Sequence, residues 1–402
     1  MVAHSSLTAA RWLVSFAILS ALVGSTAPSP LYGIYQARLH FSSTTLTSLF
    51  AVYAIGVLLA LAVLGRLSDR LNDRRWVIVP ALCVVAAGSL VFAFAEDLRG
   101  LFLGRFLAGV GTGALTGSAN AALVGFDAQD RKKHAAVLAT VSFTLGAALG
   151  PVLSSIAIGL EFHPTTSPFV LNACLATLTA VGLWGVRWHH ENAQVKSSGL
   201  VPVEKPRLNQ QMRGSWQAFS RISCVLVVTW SVGSVFVALG PTMVISILTQ
   251  VSPGSHATAG LLVTAFQTMA GVTQFFCRRV SPERAMKTGG ALLSGAWLGC
   301  LAALYFHQPP VFVVFSVLAG IGYGATFVGA MGIFTTLAPS THRAALGSLF
   351  YLAGYLGSAI GIIAMGVAVD ALGIVGASLA MLLIVLISFG HLLAGKGSQA
   401  SI

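Results

Sequence analysis

Long apolar stretches alternate with short polar connections along the whole chain. The apolar runs fall at approximately 12 to 35, 45 to 65, 76 to 95, 101 to 125, 134 to 159 and 168 to 187, and again at 218 to 249, 258 to 277, 287 to 306, 311 to 336, 343 to 369 and 374 to 394. About 20 apolar residues cross a hydrocarbon core as a helix, so each run is long enough to be a span. The runs are rich in Leu, Ala and Gly and lack the two-residue alternation of barrel strands, and a backbone in hydrocarbon must satisfy its own polar groups; the pattern predicts helices throughout. The fold class expected is therefore an all-α membrane protein with 12 transmembrane helices in two six-helix bundles. The first bundle covers 1–187, a polar cytoplasmic linker 188–217, and the second bundle 218–402. The first run is too long for a signal peptide and lacks a clear small-residue cleavage site, so it is expected to stay as a span.

Composition agrees. With 56% hydrophobic residues, 8% charged residues and a mean hydropathy of +0.84 over 402 residues, one soluble core could not hide the apolar surface. The formal charge of +12 would suggest nucleic acid in a soluble protein, but here its placement decides. Of 23 Lys and Arg, Arg38 and Arg99 fall in loops on one side, Arg105 falls inside a span, and the other 20 fall on the opposite side. The positive-inside rule then places both termini and the linker in the cytoplasm, and nucleic acid is not an expected partner. Five cysteines (Cys83, Cys174, Cys224, Cys277, Cys300) lie in apolar runs without metal-ligand spacing, which reads as reduced packing residues.

The second half repeats the first at a constant offset of 211 residues. Leu107–Ala114 reads LAGVGTGA and Leu318–Ala325 reads LAGIGYGA; Leu145–Gly150 reads LGAALG and Leu356–Gly361 reads LGSAIG. Pro30 maps onto Pro241 and Gly88 onto Gly299 at the same offset. A shift of six helices preserves topology, so the repeats are parallel about an axis along the membrane normal.

The loop after the second run reads GRLSDRLNDRR, from Gly65 to Arg75. It resembles the loop signature of the major facilitator superfamily: Gly65, Asp69, Arg70 and Arg74 match at its spacing, while Asn72 and Asp73 depart from it. Arg105 followed by FLAGVGTG resembles the family's arginine motif on span four. Gly146–Pro151 (GAALGP) resembles the antiporter motif on span five, with Ser154 and Ser155 in place of its terminal glycine pair. The resemblance implies a secondary transporter of the drug/metabolite:proton antiporter branch in a bacterial cytoplasmic (inner) membrane. It gives gating roles to Gly65, Asp69, Arg70, Arg74, Asp127, Gly146, Gly150 and Pro151, and a coupling role to Arg105. Asp69 would meet the start of span eleven near Ser340, Thr341 and His342, and Arg70 and Arg74 would pair with Asp127. The glycine face of span five is associated with the interface between halves.

Arg105 is costly inside a span unless paired, hydrated or turned inward; the bland alternative is snorkelling outward toward Glu96 and Asp97. No Asp or Glu sits at the centre of a span, and the first run lacks the acid many proton-coupled exporters carry there. Tyr53, Asn120, Trp230, Gln267, Tyr323, Tyr351 and Tyr355 are the candidates for a midplane substrate cavity, which suits a neutral or cationic lipophilic molecule. Gly390–Lys396 spells GxxxxGK, but Gly397 replaces the required Ser or Thr and no strand precedes it, so no nucleotide cofactor is expected. No HExxH or Ser-His-acid pattern occurs, so an enzyme is not expected. The leading expectation is a monomeric transporter, proton-coupled and exporting small lipophilic compounds by alternating access. The alternatives are an importer or facilitator of a metabolite and a nontransporting membrane sensor.

Overall fold

The computed structural model describes residues 2–68, 73–126, 132–186, 215–248, 250, 253–339 and 342–394. Among them every regular element is helical: α1 Val2–Thr26, a 3-10 turn Ser29–Leu31, α2 Tyr32–Leu39, α3 Ser43–Ser68, α4 Arg75–Ala93, α5 Leu98–Gly125, α6 Lys132–Gly159, α7 Ser167–Gly185, α8 Trp216–Ala238, α9 Gly240–Ile245, α10 Pro253–Cys277, α11 Pro282–Tyr305, α12 Pro309–Leu337 and α13 Arg343–Ala394.

Ten stretches are long and apolar enough to cross a membrane. The last, Leu346–His391, has 46 residues, about 69 Å at about 1.5 Å per residue and more than twice a hydrocarbon core of about 30 Å. Gly373 breaks it with φ 72 and ψ 171, a left-handed conformation open to glycine, so α13 supplies two crossings. The predicted fourth span is α5. Its 28 residues include Arg99, Arg105, Thr112, Thr116, Ser118 and Asn120, and it is not among the ten apolar stretches. Counting both arms of α13 and adding α5 gives the twelve spans expected.

Packing divides the chain into two compact units. The first comprises Met1–Phe41, Ser48–Val201 and Gln250–Thr268; the second comprises Ser42–Thr47, Pro202–Thr249 and Met269–Ile402. Each unit begins its first span with a helix interrupted ahead of a repeat-related proline. In the first, α1 ends at Thr26 and the chain resumes through the 3-10 turn holding Pro30; in the second, α8 ends at Ala238 and α9 begins with Gly240 and Pro241. A proline ring removes one donor and crowds the preceding turn, which accounts for both interruptions.

The repeated glycines do the same work in each unit. A Cβ at Gly111 on α5 would lie 3.0 Å from the Val85 nitrogen on α4, and one at Gly322 on α12 would lie 2.6 Å from the Leu293 nitrogen on α11. Gly113 faces α3 in the same way, 2.6 Å from the Val57 carbonyl oxygen, while Gly324 meets the Ala270 carbonyl of α10. Without these side chains the helices approach to backbone contact, the main source of attraction between helices whose surroundings are as apolar as they are.

The first unit buries Val14, Ile18, Leu82, Val85, Leu115 and Leu183 around a polar knot. Asn172, 1% exposed, accepts a hydrogen bond from Ser20 (3.1 Å) and donates to Ser89 (3.0 Å), tying α7 to α1 and α4. In the second unit the buried Trp297 of α11 donates to the Ser378 carbonyl on α13 (2.9 Å) and meets Phe236 of α8 edge-on at 5.4 Å. Large apolar side chains such as Leu160, Leu178, Trp184 and Ile387 stay exposed, as hydrocarbon surroundings permit and water does not.

Candidate functional site

Arg105 is the most heavily constrained of the predicted site residues. It is 1% exposed, so the snorkelling alternative does not hold. Its Nη1 donates to the Ser25 carbonyl at 2.7 Å and its Nε to the Leu49 carbonyl at 3.5 Å; the guanidinium carbon stands 4.6 Å from the Tyr53 ring centroid and 5.5 Å from that of Phe50. Two backbone carbonyls and two π faces therefore replace water around the charge, and no described carboxylate pairs with it. Its Nη2 has no partner among the described residues, nor has the hydroxyl of the buried Tyr32, which leaves unspent donors at a buried cation. Tyr53, predicted as a substrate contact, is 8% exposed and stacks on this arginine.

In the second unit the structure gathers three predicted residues. Trp230 on α8 lies 4.8 Å from Tyr355, 6.0 Å from Tyr351 and 6.1 Å from Phe327, centroid to centroid. Tyr351 and Tyr355 are one turn apart on α13. Gly354 between them lets the indole approach, because a Cβ there would lie 3.0 Å from the Trp230 ring. Tyr351 is 39% exposed, and Trp230, Phe327 and Tyr355 are partly exposed. Tyr323 is brought to the same helix pair, with its ring against Gly233 of α8. Phe327 was missed by sequence reasoning, although it sits one turn after Tyr323 and so on the same face of α12. The series continues through Phe350, stacked on Phe334 at 4.9 Å.

The other predicted residues are placed apart from this cluster. Asn120 is exposed on α5 of the first unit, and Gln267 is half-buried on α10 in the part of that helix belonging to the first unit. Gly146 and Gly150 face α1 within their own unit: a Cβ at Gly146 would lie 2.6 Å from the Leu19 carbonyl oxygen, and one at Gly150 2.7 Å from the Ala27 nitrogen. Their repeat mates Gly357 and Gly361 face the corresponding helix, α8, but meet side chains there, those of Val227 and Ser231. Pro151 follows inside α6. Gly65 lies in α3 and Arg74 at the start of α4. Asp73, which departs from the loop signature, accepts from the Arg75 backbone N–H at 2.9 Å and from its guanidinium at 2.7 Å, capping α4. Asp69, Arg70 and Asp127 lie outside the described residues, as do Ser340 and Thr341.

A separate cavity of about 440 Å³ lies between α11 and α12, lined by Leu298, Gly299, Phe306, Val311 and Phe315; it is apolar and shares no residue with the aromatic cluster.

The model of the Major Facilitator Superfamily matches residues 14–253 and 225–396, which together cover most of the chain. The chain belongs to the major facilitator superfamily. Its twelve spans and two repeated bundles are those of a multi-pass membrane protein of that family. Among related proteins, a triacylglyceride transporter of Mycobacteroides abscessus is 34% identical over 34% of this chain and 26% of its own length. The triacylglyceride transporters it matches are thus covered over about a quarter of their length. The class C tetracycline resistance protein of Escherichia coli is 33% identical over 32% of this chain and 31% of its own. Among solved structures, a bacterial homolog of the human lysosomal transporter Spinster, in an inward-facing and unoccupied conformation, superposes with a TM-score of 0.79 at 15% identity, covering 96% of each chain. That likeness establishes the fold.

Proposed function

We propose that this major facilitator transporter exports small lipophilic compounds by alternating access, driven by protons, from a bacterial inner membrane in which it works as a monomer with both termini cytoplasmic. The aromatic cluster around Trp230 carries the reading. Three rings approach the indole within about 6 Å, a surface that rewards flat apolar area over a phosphorylated or highly polar solute. The relatives that match over part of the chain are named for a lipid and for an amphiphilic antibiotic, which fits the same chemistry. Arg105 is the coupling residue in this reading: a charge held by carbonyls and π faces responds to any rearrangement of α1 and α3 around it.

One observation favours a second reading, import or facilitation of a metabolite. The chain's 11 acidic residues leave the centre of every span without a carboxylate, so the usual proton carrier is missing. Proteoliposomes with an imposed pH gradient separate the two. Tetracycline and a lipophilic fluorescent dye are loaded inside or outside. Movement opposite to protons supports export, and movement with protons, or indifferent to them, replaces it with the second reading.

A further inference from the structure

Asp370 sits in the last turn before the Gly373 break of α13, one of the least favourable places for an acid on its own helix, because the carbonyl end of the dipole repels it. Its carboxylate is used elsewhere. Oδ1 accepts the Ser43 backbone N–H at 2.9 Å, Oδ2 accepts the Thr44 backbone N–H at 2.8 Å, and the Thr44 hydroxyl donates to Oδ2 at 2.7 Å. These N–H groups are the first of α3, which have no partner within their helix. α3 already has a local cap, since Ser42 Oγ accepts the Thr45 N–H at 3.2 Å, so Asp370 adds a second cap brought from 326 residues away. One turn earlier on α13, Gly366 clears the way: a Cβ there would fall on Thr47 Oγ1 and lie 2.8 Å from the Ser43 carbonyl oxygen. Ser42–Thr47 pack with the second unit while the rest of α3, from Ser48, packs with the first.

The repeat shows that this arrangement is not a by-product of the scaffold. At the offset of 211, Thr47 corresponds to Thr258, but Asp370 corresponds to Gly159 and Gly366 to Ser155. The helix contact has a mate in the first unit, where Gly260 of α10 packs against Ser155 and Pro30; the acid does not.

We propose that Asp370 is a gating residue for transport: its carboxylate latches the first turn of α3 to α13, and the latch must open once in each transport cycle. This rests on the alternating-access reading above. Three hydrogen bonds to one carboxylate hold the closed form, and losing a helix cap of this kind corresponds to about a tenfold change in an opening equilibrium.

The test uses the full chain in nanodiscs, which expose both faces, with the five native cysteines replaced by alanine. Thr47→Cys is the reporter, because Thr47 is fully buried against Gly366 and reacts with a maleimide only when the contact opens. Asp370→Asn is expected to raise the labelling rate about tenfold, since the amide nitrogen presents a donor to two donors. Asp370→Glu, which keeps the acceptor pair, is expected to stay within about threefold of the parent. Gly366→Ala opens the same contact by crowding, with the acid intact, and carries the test if Asp370→Asn does not fold. A parental labelling rate in Asp370→Asn, or in Gly366→Ala where that variant carries the test, overturns the latch. Faster labelling in a protein that moves no compound in proteoliposomes keeps the latch and removes the exporter reading instead.

Discussion

Replacing one glycine by alanine should change sign with position along α5. At Gly113 an added Cβ lies 2.6 Å from the Val57 carbonyl oxygen and 2.9 Å from the Val57 Cα, both backbone atoms of α3 that no rotamer change can move. Reaching ordinary contact needs the two helices to part by about 0.8 Å along their closest approach, and overpacking of this kind costs about 1–3 kcal/mol. Alanine returns up to about 1 kcal/mol in helix propensity. The net for Gly113→Ala is a loss of up to about 2 kcal/mol, or a melting midpoint lower by up to about 2.5 °C. Gly117, one turn on, has nothing within 4 Å of its added Cβ, so Gly117→Ala keeps only the propensity gain and leaves the midpoint unchanged or raised. Gly324, the repeat mate of Gly113, meets the Ala270 backbone of α10 and should fall as Gly113 does. Intrinsic fluorescence melts of the three purified variants in detergent decide it. Equal losses at 113 and 117 would mean that glycine matters here for reasons other than close approach, and opposite signs at 113 and 324 would break the equivalence of the repeats.

Two further outcomes test the site residues. Arg105→Gln should give a folded protein whose flux no longer follows an imposed pH gradient, while Arg105→Lys keeps part of that response; an unchanged pH dependence in the glutamine variant removes Arg105 from coupling. Trp230→Ala should weaken binding of a transported aromatic compound about tenfold, because aromatic contacts each contribute about 0.5–1.5 kcal/mol, and Trp230→Phe about threefold; equal affinities across the series would show that the cluster only packs.

Much of the architecture was legible because hydrocarbon imposes it. The twelve runs predicted from apolar length correspond to the helices observed, including α5, whose polar residues leave it outside the ten apolar stretches, and the two arms of α13, which only Gly373 separates. The repeat at 211 was legible for a related reason: Gly111 and Gly322, or Gly113 and Gly324, must stay small where backbone meets backbone. Less of the site could be read. That Arg105 is buried was open, since an arginine's partners can be carbonyls, and the carbonyls of Ser25 and Leu49 leave no trace in residue type. Trp230 could be named but not joined to Tyr351 and Tyr355, because it lies 121 and 125 residues from them and their meeting depends on how α8 packs on α13. Asp370 has as partners the backbone N–H groups of residues 43 and 44, which every sequence possesses and no residue type marks.

Where the two repeats agree and where they part also separates scaffold from chemistry. Four pairs of the glycines that permit helix contact recur at the offset of 211, Gly111 with Gly322, Gly113 with Gly324, Gly146 with Gly357 and Gly150 with Gly361, and each meets backbone or a side chain of the corresponding neighbour. The residues assembled around Trp230 do not recur: Trp230, Phe327, Tyr351 and Tyr355 correspond to Leu19, Thr116, Thr140 and Thr144. Arg105 corresponds to Ser316, a buried hydroxyl that donates to the Phe312 carbonyl of its own helix, and Asp370 corresponds to Gly159. A bundle copied in one chain keeps whatever close packing demands in both copies, because a side chain larger than the gap costs the same in either. A binding surface, a buried charge and a latch have no such constraint, and one copy of each suffices for a single transport route. Substituting the aromatic side chains into the mate positions Thr140 and Thr144 should therefore leave substrate affinity where it was, whereas removing them from 351 and 355 should lower it; affinity that rises with aromatics in the first unit would assign recognition to both copies and overturn the division.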